Sequence, residues 1–171
     1  MTIDVILTAK IFKRFSFYDT FIRRKMWRSP ALFAAIMCSC ACIAFIMRHV
    51  DGAIFLGSVL MIVGLGMPAT YFLLFVASLQ KQVKAHGLTR PQKVYTLQLT
   101  KNVDGISVSN EKEHVTYRWD NVYHIYRDTL ATYLFMSPTR GFILPHTCLE
   151  EGPDALWALI EKKLPAQKYT K

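Results

Sequence analysis

The chain has 171 residues, a formal charge of +9, 52% hydrophobic residues and four cysteines. Four cysteines without a Cys-x-x-Cys pair argue against a disulfide-stapled scaffold and against a structural zinc site. The positive charge does not point to nucleic acid, because the aromatic residues lack the interleaved basic residues of a base-stacking platform.

In chain order, residues 1–8 read as a strand: Ile3, Val5 and Leu7 alternate with Asp4 and Ile6. Alone it has no partner, so it is expected to join a sheet built much later in the chain. Residues 9–29 read as an amphipathic interfacial helix, basic and aromatic, carrying Phe12, Phe15, Phe17 and Phe21. Two stretches without charge follow, Ala31–Met47 and Ala53–Leu79, separated only by Arg48-His49-Val50-Asp51-Gly52. About 20 apolar residues cross a bilayer as a helix. The pair is therefore expected to form a transmembrane hairpin over 30–48 and 53–79. A cleaved signal peptide fits poorly, since its leading region would be about 29 residues long, contain Asp4 and Asp19, and lack a small-x-small site.

Basic residues set the expected orientation. Arg23, Arg24, Lys25 and Arg28 precede the first span, and Lys81, Lys84, Arg90 and Lys93 follow the second. Lys and Arg beside a span favour the cytoplasmic side, which puts both termini there and the short turn outside. The excess charge divides into +5 before the first span and +4 from Gln80 onward. These eight residues either only fix topology or also contact anionic inner-leaflet lipid, at roughly 1 kcal/mol each. In the second span Ala53, Gly57 and Gly64 are the candidate helix-packing positions, because small residues let helices approach closely. Pro68 is expected to bend that helix. Cys38 and Cys42 share a helix face while Cys40 points away, so the three cannot converge on a metal. Neither span contains an ionisable residue, which leaves no proton relay or ion path.

After a juxtamembrane helix or linker at 80–92, the pattern changes to alternation. Residues 93–165 are expected to form a small antiparallel β domain closed by a helix. Its strands are read at Lys93–Thr100, Ile106–Ser109, Val115–Trp119, Val122–Arg127, Thr132–Met136 and Gly141–Leu144. Turns are expected at Asn102-Val103-Asp104-Gly105 and Asn110-Glu111-Lys112. With the N-terminal strand this makes seven in a meander. The closing helix opens at Gly152-Pro153 and carries Leu156, Leu159, Ile160 and Leu164 on one face, with Trp157 alongside. Residues 166–171 read as a frayed tail.

The run Tyr117-Arg118-Trp119-Asp120-Asn121-Val122, then Tyr126, Tyr133-Leu134-Phe135-Met136 and Phe142-Ile143-Leu144-Pro145, resembles the bacterial YcxB-like proteins. A hairpin after a short N-terminal strand fits the same resemblance. It implies a pleckstrin-homology-like cytoplasmic domain on a protein of the bacterial cytoplasmic membrane, with Tyr117, Trp119 and Pro145 as structural motif residues. It implies no activity and transfers no catalytic residue. The chain departs from the pattern at Gly141 and at His146-Thr147-Cys148, where a basic residue often follows the proline.

Enzyme signatures are missing: no Gly-rich loop ending in Lys-Ser/Thr, no His-Glu-x-x-His and no Gly-x-Ser-x-Gly. His146 and Cys148 read as structural residues rather than a nucleophile pair, and His124 as a hydrogen-bonded sheet residue. His49 and His86, near the membrane boundaries, are candidate pH sensors. The expected fold is thus an α+β membrane protein, with a two-helix transmembrane hairpin inserted after the first strand of the β domain. The expected function is a non-catalytic binding or regulatory module without cofactor or metal, partnered by membrane lipids and a protein, with homo-oligomerisation left open. Two alternatives stand: an immunity-type self-protection protein acting through its hairpin, and an accessory subunit of a transporter or envelope complex.

Overall fold

The computed structural model describes residues 2–99, 105–110 and 114–170. The turn expected at 102–105 and the one at 110–112 fall largely outside them. The chain divides into two compact units, Met1–Phe15 with Val83–Lys171, and Ser16–Gln82.

The first unit begins with β1 (Thr2–Leu7), where Ile3, Val5 and Leu7 are buried and Thr2, Asp4 and Ile6 are exposed. It pairs antiparallel with β2 (Gln92–Leu99), placing Ile3 opposite Leu97 and Val5 opposite Tyr95. The register shifts between Val5 and Ile6. β3 (Gly105–Ser109) and β4 (His114–Arg118) extend the sheet in the order β1-β2-β3-β4. The strand expected to continue through Trp119 stops short. Trp119–Asn121 forms a 3₁₀ turn that buries the indole, 4% exposed, and turns the chain away from the first sheet.

The later strands therefore build a second sheet instead of one continuous meander. β5 (His124–Arg127), β6 (Ala131–Phe135) and β7 (Gly141–Pro145) are antiparallel neighbours. The tail does not fray: β8 (Tyr169–Thr170) pairs in parallel with β5, giving the order β7-β6-β5-β8 and eight strands among the described residues. Every residue of β6 is buried, so it shows no in–out alternation. Thr132 and Leu134 face a small interior space of about 10 Å³ shared with Leu99, Trp119, Ile125 and Ile160. On the other face, the Phe15 ring of α1 (Ala9–Phe17) lies 5.1 Å from Tyr133 and 5.8 Å from Phe135.

α4 (Gly152–Lys163) closes the interior with Leu156, Trp157 and Ile160. Pro153 fits its first turn, where a missing N–H leaves no bond unmade, and Lys162 and Lys163 suit its negative end. Trp157, expected beside the apolar face, sits at its centre, while Leu159 is only half-buried.

A single helix over 9–29 is not formed, and its later part belongs to the second unit. Beyond Phe17 the coil widens to a π-helical segment, Tyr18–Arg23, and Lys25 at φ 53° interrupts the helical path. α2 (Arg28–Ile46) and α3 (Ala53–Ala85) follow. Pro68 lies inside α3, whose range it does not interrupt, and the helix absorbs the first part of the expected 80–92 linker. The turn that ends α3 lies in the first unit. There Leu88 N–H donates to the Val83 carbonyl and Gly87 adopts φ 66°, the left-handed conformation that commonly stops a helix.

Candidate functional site

The β1–β2 register shift lies beside a recess of the first unit. Val5 faces Tyr95 but Ile6 faces Lys93, so Val94 is an extra residue in β2. A bulge of this kind kinks the strand and often lies beside a site. On the other side of β2 the described pairing with β3 begins only at Thr96, opposite Ser109. The recess is a cleft of about 850 Å³, with Leu7, Leu88 and Val94 among its apolar lining and His86, Lys93 and Asn110 among its polar lining.

Lys93 Nζ lies 2.8 Å from Asp4 Oδ1, which also accepts a 2.8 Å hydrogen bond from Thr96 Oγ1. The Lys93 bond, then the Thr96 bond, hold the Asp4 carboxyl below its ordinary value. The Tyr95 hydroxyl accepts from the Ile143 N–H and donates to the Ile143 carbonyl, both at 2.7 Å, and burial pushes its pKa up. A phenol held this way is a fixed structural group. The cleft suits a small polar or amphipathic ligand.

His146 and Cys148 have separate partners. His146 Nε2 is 3.2 Å from Thr132 Oγ1, and burial lowers its pKa. Cys148 Sγ accepts from the Ile6 N–H at 3.4 Å, so the half-buried thiol is tied to β1. His124 Nε2 is 3.0 Å from Thr170 Oγ1. Among the described residues, no group of three or more His, Cys, Asp or Glu could hold a metal.

The eight basic residues singled out in sequence divide between the units. In the second unit Arg23 and Arg24 both pair with Asp19, while Lys25, Arg28 and Lys81 make no ion pair among the described residues. In the first, Lys93 pairs with Asp4, while Lys84 and Arg90 make none. The small residues lie between α2 and α3. A Cβ on Gly57 would meet Phe45 at 2.9 Å, one on Gly64 would meet Met37 Cβ at 2.8 Å, and Ala53 is 9% exposed. Cys38 Sγ contacts Met61 Sδ at 3.9 Å in the same seam.

The motif residues are structural in their surroundings. The Tyr117 ring lies 5.9 Å from Phe142 and 5.8 Å from the Arg140 guanidinium. Pro145 ends β7 opposite Ala131, where a missing N–H costs the ladder little.

One network was not foreseen from sequence. Arg14 Nε and Nη2 reach Asp128 at 2.5 and 2.8 Å, Tyr133 donates its hydroxyl to Oδ2 at 2.8 Å, and the Thr129 N–H donates to Oδ1 at 2.8 Å. Burial raises the Asp128 pKa, but these hydrogen bonds and the guanidinium charge outweigh it and hold the carboxyl below 3.8. The stability it supplies is complete above pH 3.8 and drains away as pH falls through its lower folded value. Asp128→Asn is expected to cost about 1–2 kcal/mol at neutral pH, because the amide keeps an acceptor but loses the ion pair. A denaturant melt should show that the variant loses less stability than wild type below pH 3.8. Parallel acid limbs would contradict this. His146 acts in a separate window, since its lowered pKa removes stability only below 6.5.

These features define a mixed helix-and-sheet protein with two long apolar helices and largely antiparallel sheets. Residues 102–160 match the family model of the YcxB-like proteins. The resemblance read from the sequence holds over that stretch, about a third of the chain, which includes Tyr117, Trp119 and Pro145 but neither β1 nor the apolar helices. No curated protein and no solved structure matches the chain.

Proposed function

We propose that the chain is a non-catalytic integral protein of the bacterial cytoplasmic membrane. In this reading α2 and α3 cross the bilayer as a hairpin, both termini are cytoplasmic, and the first unit is a pleckstrin-homology-like binding module held at the inner leaflet. One observation carries the reading: the apolar side chains of α2 and α3 point away from protein. Ile46 is 77%, Phe55 76% and Ile62 72% exposed. A water-facing surface of that kind favours aggregation, whereas hydrocarbon is its natural solvent.

The mean hydropathies, 2.1 and 2.2, agree, as do lengths of about 28 and 50 Å at 1.5 Å per residue. Ser39, Ser58 and Thr70 each donate a hydroxyl hydrogen bond to the carbonyl four residues earlier, so these side chains need no water. Lys25, Arg28, Lys81, Lys84 and Arg90 flank the helices and favour the cytoplasmic side. Two four-stranded sheets closed by a C-terminal helix support the pleckstrin-like reading. The function follows from confinement: a tethered module meets membrane-side partners at a higher effective concentration than a free one.

The test is cysteine labelling in intact cells. With the four native cysteines replaced, a membrane-impermeant maleimide should label Asp51→Cys in the turn, and should label Lys162→Cys on α4 only after lysis. Labelling of Lys162→Cys in intact cells, or extraction of the chain by alkaline carbonate, would reject the reading. Crosslinking in native membranes should then recover a partner through the first unit, and loss of crosslinks on removing residues 93–165 is the expected control.

A further inference from the structure

The outer edge of β5 is occupied by Tyr169–Thr170 of the same chain. β8 lies parallel to β5 with two register pairs among the described residues, Ile125 with Tyr169 and Tyr126 with Thr170. Three consecutive side chains of this tail meet three different elements. Lys168 Nζ donates to the Asp120 carbonyl at 2.7 Å in the 3₁₀ turn. The Tyr169 ring stands edge-on to Trp157 of α4, with centroids 5.9 Å apart. Thr170 Oγ1 lies 3.0 Å from His124 Nε2 at the start of β5.

The receiving side is built on a buried indole. Trp157 is 2% exposed, its face is covered by the Arg127 guanidinium at 5.7 Å, and Arg127 is held by Asp154 at 2.8 Å. Its Nε1 is buried and lacks an acceptor among the described residues. The occupant, among the described residues, is a two-residue parallel strand, and parallel pairs are the weaker kind. Without it, β5 would present an open row of backbone donors and acceptors, a template for strand addition.

We propose that the β5 edge is a strand-addition site for an extended peptide of another protein, and that residues 168–170 are its resident stand-in. The tail states the ligand chemistry: a basic residue capped by the Asp120 carbonyl, an aromatic residue against Trp157, and a hydroxyl residue at His124. A partner must displace the tail, which competes from the same molecule at an effective concentration in the millimolar range. The site is therefore closed by default and opens to partners held close by. This deepens the binding-module reading and rests on it. Its readout is peptide affinity in detergent, so its failure is distinct from a failure of membrane anchoring.

The test uses the full chain in micelles and a fluorescein-labelled heptapeptide, Pro-Ala-Gln-Lys-Tyr-Thr-Lys, read by anisotropy. The Tyr169→Ala/Thr170→Ala chain should bind the peptide at least about tenfold tighter than wild type, because the competing tail is gone. Replacing the peptide's tyrosine by alanine should abolish binding, and adding His124→Ala to the chain should weaken it several-fold. Equal binding to wild type and variant, or indifference to the peptide tyrosine, overturns the proposal. A concentration-dependent dimer of wild type that vanishes in the double variant also overturns it, assigning the edge to the tail of a second copy. Should the double variant fail to fold, amide exchange on wild type decides. Excess peptide should accelerate exchange of the Tyr169 and Thr170 amides, and no acceleration sinks the idea.

Discussion

Val5→Asp is expected to unfold a sheet domain most of whose residues lie more than 80 positions further along the chain. Val5 is completely buried and sits opposite Tyr95, between Ile3 and Leu7, both also buried. A carboxylate there meets no buried cation among the described residues and must either stay charged without a partner or take up a proton. Either outcome, with the lost apolar burial, costs about 3–5 kcal/mol. A domain of roughly 100 residues has only about 5–15 kcal/mol in total. The neighbouring Ile6→Asp provides the control, because Ile6 is 44% exposed on the opposite face and its backbone contact to Cys148 survives the change. It should shift stability by no more than about 0.5 kcal/mol. Trp119 and Trp157, both buried in this unit, give the readout. Val5→Asp should red-shift tryptophan emission and remove the cooperative melt, while Ile6→Asp leaves both. A normal melt for Val5→Asp would mean that the sheet is complete without β1.

That contrast also explains why β1 was legible in the sequence. Its alternation survives because one face is solvent and the other is core, so period two is written directly in Ile3, Asp4, Val5 and Leu7. The apolar helices were legible for a related reason: most of their large side chains are exposed, so apolar residues run around most of each circumference rather than along one stripe. α4 declared itself through Pro153 and its charged ends.

β6 shows where pattern reading fails. Its five residues are buried on both faces, by α4 within and by Phe15 of α1 without, so the alternation that marks a half-exposed strand is erased. The Arg14–Asp128–Tyr133 network was invisible for another reason. Asp128 stands in a strand-to-strand turn, where a carboxylate is ordinarily a solvated turn residue, and its cation comes from 114 positions earlier. The tail strand carried no signal either, since Lys168, Tyr169 and Thr170 are polar and their pairing depends on an edge made elsewhere. Trp119 was misplaced by one step: it continues the aromatic alternation of β4 in sequence, yet the chain turns there because its indole is needed between the sheets. The cleft beside Lys93 lies next to an extra residue in β2, and a register shift is a property of two strands together. No single segment contains it.

Gly64→Leu is expected to separate α2 from α3. Even a single carbon at position 64 would stand 2.8 Å from Met37 Cβ, an atom fixed to its own backbone that cannot rotate away. The helices must part, and with them goes the close packing that a small residue at this position allows. Overpacking of this kind costs about 1–3 kcal/mol, and the full leucine side chain belongs at the upper end. Gly57 differs in degree. Its would-be neighbour at 2.9 Å is the Phe45 ring, which can swing, so Gly57→Ala should be milder than Gly64→Ala. Gly66 has nothing within 4 Å, and Gly66→Ala should be neutral or stabilise α3 by up to about 1 kcal/mol through helix propensity. Thermal melts in detergent give the order. A second readout is geometric, since Cys38 and Met61 meet through their sulfurs. With Cys40 and Cys42 replaced by alanine, a short bifunctional thiol reagent should join Cys38 to Met61→Cys in the otherwise native chain and fail to do so when Gly64→Leu is added. Equal losses from Gly64→Leu and Gly66→Leu, or crosslinking that survives Gly64→Leu, would show that the two helices are not held by this seam.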